Sequence, residues 1–168
     1  MIDLVMLQVV RDLVAIFGVI AGLTYYIMTV SNQNRTRQAQ LFMPIYSRFQ
    51  EKDFMRQFSD ITNIWDWTDF DDFSEKYGPN TNPEAYSSWL MVLTYFEGVG
   101  VLVKRKLIDP YLVDDLMSGL IIRLWEKSKS YIIGVRKLRK WPQFAEYVEY
   151  LYNEIKPIAE KQHLELKI

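Results

Sequence analysis

The hydrophobic pattern along this chain changes its period once, near residue 31. Residues 13–30 read LVAIFGVIAGLTYYIMTV without a charge, close to the ~20 residues an α-helix needs to cross a ~30 Å hydrocarbon core. The apolar pattern extends back through Leu4, Val5, Met6, Leu7, Val9 and Val10. A helix starting near Leu4 therefore spans a bilayer, with Arg11 and Asp12 reaching toward the near interface. Tyr25 and Tyr26 lie toward its far end, where phenol rings favour the headgroup region. A cleaved signal peptide would need a positive start and a small-residue cleavage site, whereas Asp3 precedes this run and YYIMTV closes it. A buried core helix would rarely be apolar on every side over five turns. The expectation is one transmembrane helix.

The polar stretch Ser31, Asn32, Gln33 and Asn34 reads as a break. It divides the chain into a membrane anchor with its junction, residues 1–34, and a body, residues 35–168. A helical stripe returns in Leu41, Phe42, Ile45, Tyr46 and Phe49, where Pro44 kinks the helix or starts a new one. Asp53 is placed to cap a helix carrying Phe54, Phe58, Ile61, Ile64 and Trp65. Thr68 and Asp71 resemble a capping pair for a short helix that Gly78 stops. Asn82-Pro83, Asp109-Pro110 and Trp141-Pro142 each set proline at a first helical position. They predict helices over residues 83–106, 110–138 and 142–165, the last bent at Pro157. No convincing period-2 run exists, so the fold class is all-α: an N-terminal transmembrane helix followed by a helical bundle.

With these residues placed, the chain resembles an uncharacterised family of bacterial and archaeal single-pass membrane proteins with a helical domain of unknown function. The resemblance is carried by the apolar anchor followed by SNQNRTRQ, by YFEGVGVLVKRKLIDPYLV, by LWEKSKSYIIGVRK and by the closing FAEYVEYLY. It supports the architecture and implies no activity.

Composition removes several chemistries. The chain has no cysteine, which excludes disulfides, thiolate metal sites and Cys nucleophiles. His163 is its only histidine, so a His-dependent triad and a multi-His metal centre are absent. Gly98 and Gly100 fall inside a helix and form no phosphate-cradling loop; they would let a neighbouring helix cross closely. The densest carboxylates, Asp66, Asp69, Asp71, Asp72 and Glu75, offer oxygens for Mg²⁺ or Ca²⁺ but miss the EF-hand spacing, and acids at a helix start suit the helix dipole. Glu97, flanked by Phe96 and Gly98 in an apolar helix, needs a partner. Arg136, or failing that Arg123, is expected to pair with it as a buried ion pair.

Charge is uneven although the net is -1. Acids dominate residues 51–84 and bases dominate residues 101–140. Lys137, Arg139 and Lys140 beside Trp141 form a basic surface suited to a helix C-terminus or an anionic lipid leaflet. The chain as a whole is not basic, so nucleic acid is not an expected partner. Arg11 alone precedes the anchor, whereas Arg35, Arg37 and Arg48 follow it before any acid, which favours an outside N-terminus and a cytoplasmic body at the cell membrane. Gly18 and Gly22 form a small-xxx-small pair that lets helices approach in lipid. The sequence thus predicts a membrane-anchored interaction or regulatory module, or an accessory subunit. It has no catalytic residues and no cofactor, and it meets a protein partner or a second copy through the anchor and through Trp65, Trp67 and Tyr86. The alternatives are a metal-dependent hydrolase using the acidic cluster and a lipid- or nucleic-acid-binding body.

Overall fold

A computed structural model describes residues 3–165, with side chains to residue 162. His163 therefore lies outside the described side chains. Six α-helices follow one another: α1 (Leu4–Phe49), α2 (Lys52–Ser59), α3 (Phe70–Tyr77), α4 (Pro83–Lys104), α5 (Pro110–Leu138) and α6 (Glu146–Glu165). A π-helical turn, Asp60–Ile64, extends α2. No strand occurs among the described residues. The fold is all-α, a long apolar N-terminal helix followed by a helical bundle.

The polar stretch at residues 31–34 does not interrupt α1, contrary to expectation. No glycine or proline occurs between Gly22 and Pro44. Ser and Asn cost only a few tenths of a kcal/mol each inside a helix, less than nucleating a second helix beyond a break. Pro44 lies inside α1 rather than starting a helix. Its missing N–H removes the bond to the Gln40 carbonyl, and the chain divides into two compact units there, residues 1–40 and 41–168.

The first unit is helix alone. Its most apolar stretch has no buried residue; Leu4, Val14, Phe17, Val19, Leu23 and Ile27 are all more than half exposed. This helix is long and apolar enough to span a membrane. α4 is also long and apolar, but it spends Trp89, Val92, Leu93, Phe96, Val99 and Val103 on the core of the second unit.

In the second unit α6 packs against both α4 and α5, which touch each other much less. Aromatic rings fill the core. Phe49 of α1 meets Phe54, Phe58, Tyr95 and Phe96 at centroid distances of 5.6, 5.5, 6.2 and 6.1 Å. Phe73, Trp89 and Tyr131 form a second group with centroids 4.0–5.2 Å apart. The fully buried Trp89 donates its indole N–H to Ser128 Oγ at 3.1 Å, satisfying a group that would otherwise be costly to bury.

Helix ends follow local chemistry, with several departures from the sequence reading. Asn82 and Asp109 cap α4 and α5 with their side chains, and proline follows each, as expected. α2 starts after Glu51 rather than at Asp53. The π turn then sends Ile61 into the core and leaves Ile64 70% exposed, so the apolar stripe ends early. α4 stops at Lys104 because Lys106 turns left-handed at φ 55°. The Lys106 N–H bonds to the Val103 carbonyl and the Leu107 N–H to the Leu102 carbonyl, each at 2.9 Å, which is the Schellman pattern. α6 begins at Glu146 rather than Pro142, because residues 141–145 turn to bury Phe144, and Ala145 takes φ 57°.

Candidate functional site

α6 enters the bundle without a capping side chain of its own, since a left-handed alanine precedes it. The cap comes from α4. Glu97 Oε2 accepts the backbone N–H of Val148 at 2.6 Å, and the Tyr147 N–H also contributes. The carboxylate thus meets the free N–H groups and positive dipole end of α6. The approach is tight enough that a Cβ at Gly100, one turn on, would overlap the Tyr147 carbonyl. Burial pushes the Glu97 carboxyl above its ordinary value. The two N–H groups work against that shift, while Glu146 adds to it and Arg136 opposes it weakly.

The expected Glu97–Arg136 ion pair is not formed. Arg136 Nη1 pairs with Glu149 at 2.6 Å, and its Nε donates to the Phe144 carbonyl at 2.8 Å. The guanidinium therefore fastens the end of α5 to the turn before α6 and to α6 itself, leaving Nη2 buried without a partner. Arg123, the other proposed partner, donates to Asn63 Oδ1 at 3.2 Å on the π turn. Glu97 found backbone rather than a cation because α6 starts four residues later than Pro142 suggests, which brings its N-terminus against α4.

The acidic cluster is built as a helix start. The cap is not the expected Thr68–Asp71 pair but lies one residue on, because α3 begins at Phe70 and Asp69 takes the N-cap position: Asp69 Oδ1 accepts the Asp72 N–H at 3.0 Å, and Asp72 Oδ2 accepts the Thr68 N–H at 2.9 Å, a reciprocal cap of α3. The other Asp72 oxygen pairs with Lys76 at 2.8 Å; these contacts, the lysine's foremost, hold the Asp72 carboxyl below its ordinary value. Asp66 points outward, 3.9 Å from Lys127 Nζ, and Asp71 is exposed. Among the described residues no three His, Asp or Glu side chains converge as metal ligands would.

The aromatics named for the surface are mostly inside. Trp67 is 6% exposed beneath Lys127, Trp65 stacks on Tyr77 with centroids 4.5 Å apart, and Tyr86 is half-buried beside Trp89. Gly18 and Gly22 have open space where a side chain would stand. Lys137, Arg139 and Lys140 are exposed.

The family described as a domain of unknown function, DUF4760, matches residues 12–155, the greater part of the chain. The chain belongs to this family. No curated protein and no solved structure matches it. The DUF4760 match takes in Gly18 and Gly22 at one end and the Glu97–Val148 contact at the other, so the long helix and the cap on α6 both lie within the matched stretch.

The sequence did not reveal one concavity of this DUF4760 domain. A groove of about 470 Å³ opens between α2 and α4, lined by Phe54, Leu90, Met91, Thr94 and Tyr95 with Arg48 at one side. Tyr95 closes its floor, donating its hydroxyl to the Ile45 carbonyl at 2.5 Å; burial pushes the phenol well above its usual range. No periodicity marks such a groove, because its walls come from three separate helices.

Proposed function

We propose that this DUF4760 protein is a single-pass protein of the cell membrane whose bundle serves as an interaction or regulatory module, an accessory subunit rather than an enzyme. The observation that carries this reading is α1, which presents apolar side chains on every side from Leu4 to Val30 with no cover. Removing each large apolar side chain from water is worth about 1.5–3 kcal/mol, and a bilayer does this for all of them at once. At 1.5 Å per residue that stretch is about 40 Å long, enough for a ~30 Å core with some tilt. Arg35, Arg37 and Arg48 outnumber Arg11, which supports an outside N-terminus and a cytoplasmic bundle.

The small-xxx-small spacing of Gly18 and Gly22 supports association of two anchors, since lipid supplies no hydrophobic force and close backbone packing must do so instead. Carbonate washing of membranes holding the full chain tests the anchor: it stays in the pellet, and release into the supernatant would refute the reading. Cross-linking in the same membranes tests the pairing. Dimers form with the natural chain and are lost on Gly18→Leu combined with Gly22→Leu, while retention in the pellet is unchanged.

A further inference from the structure

We infer that the corner between α5 and α6 is a second, peripheral membrane contact, built to dock on an anionic bilayer surface. Residues 137–143 are exposed without interruption. Within this corner Leu138 is 70% and Trp141 49% exposed, flanked by Lys137, Arg139 and Lys140. None of the three cations forms a salt bridge among the described residues, Arg139 acting only at a distance on the Tyr131 phenol, and the neighbouring Arg136 takes Glu149. Two large apolar side chains set among three exposed cations match the chemistry of an anionic leaflet, where charges meet lipid headgroups while indole and aliphatic groups enter the interface. Nucleic acid would use the cations but leave Leu138 in water, and a protein face would have to set carboxylates around an apolar pocket to match both, an arrangement that an anionic leaflet presents everywhere on its surface.

The backbone and ring of the corner have partners of their own. The Trp141 N–H bonds to the Arg136 carbonyl at 3.2 Å across Lys140, which is left-handed at φ 49°, and the Trp141 ring rests on Phe144 with centroids 5.2 Å apart. Glycine occupies that left-handed position most cheaply. Here the residue is lysine, as at the end of α4, and its side chain adds a cation to the corner.

The proposal rests on the anchored reading only because the anchor brings the corner to a bilayer, and flotation of the reconstituted vesicles after a carbonate wash reads the anchor by itself. The chain has no cysteine, so a spin label is placed through Leu138→Cys in the full-length protein. The carrier is vesicles of phosphatidylcholine, alone or mixed with phosphatidylserine. In the mixed vesicles the label at 138 loses collisions with a water-soluble nickel complex severalfold and gains collisions with oxygen. A label placed through Ile64→Cys, at another exposed apolar position, keeps its nickel collisions. Lys137→Glu, Arg139→Glu and Lys140→Glu together return the label at 138 to water; loss of three contacts of ~1 kcal/mol each weakens docking by about two orders of magnitude. Protein that floats with its vesicles yet shows equal nickel access at 138 and 64 would overturn the inference. So would a label at 138 shielded from nickel and oxygen alike, which marks contact with protein.

Discussion

Glu97 is the residue on which sequence and structure meet most closely. Its place in an apolar helix made a carboxylate drawn out of water legible; the structure leaves it half-buried, and that burial is what raises its affinity for a proton. Its partner was not legible, because the partner is the backbone of another helix and depends on where that helix begins. Replacing Glu97 with Ala removes the cap on α6 and is expected to cost about 1 kcal/mol, within the range for lost caps, read as a lower midpoint in urea. Glu97→Gln separates cap from charge, since the amide oxygen still accepts the Val148 N–H. The folded carboxyl binds its proton more tightly than the ordinary value of 4.5, so its contribution is greatest below pH 4.5 and declines as pH rises through the raised value. Melting curves of the two proteins should therefore shift in favour of Glu97→Gln as pH rises from 4 to 7. A difference that does not change with pH would show that the carboxyl titrates as it does in the unfolded chain.

At the scale of elements, the helices with proline starts were readable to within a residue at their beginnings where a side-chain cap preceded the proline. Asn82-Pro83 and Asp109-Pro110 supply both signals, whereas Trp141 supplies no capping oxygen before Pro142, and α6 starts later. The left-handed lysines that end α4 and α5 were hidden because glycine is the usual mark of such an end. Gly98 and Gly100 illustrate how little spacing alone discloses. Both sit in α4, yet a Cβ at Gly98 meets nothing, while one at Gly100 collides with the Tyr147 backbone. Gly98→Ala is therefore expected to stabilise the protein by up to ~1 kcal/mol through helix propensity. Gly100→Ala must push α6 away from α4 and is expected to cost about 1–3 kcal/mol. Thermal unfolding of the two variants should move in opposite directions, and a shared direction would mean that α6 does not lie against Gly100.

At the scale of the whole molecule, hydropathy announced two kinds of helix, and they segregate. The buried hydrophobic cluster begins at Phe42 and ends at Ile155, and nothing in residues 4–40 belongs to it. Division of the chain at residue 40 reflects this, together with the loss of a backbone bond at Pro44. The long apolar helix was legible because a run of apolar residues needs no tertiary information to be recognised. The groove beneath Met91 and the exposure of Leu138 were not, since both depend on which faces the bundle leaves uncovered. A fragment beginning at Leu41 retains Phe42, Phe49 and every other member of the core, with Pro44 in a first turn that tolerates it. It should remain soluble without detergent, keep the helical circular dichroism of a folded bundle and unfold cooperatively, whereas the full chain should require detergent or lipid. If the fragment instead precipitated, or melted without cooperativity, residues 3–40 would have to be supplying contacts to the core, and their uncovered apolar surface would need an explanation other than lipid.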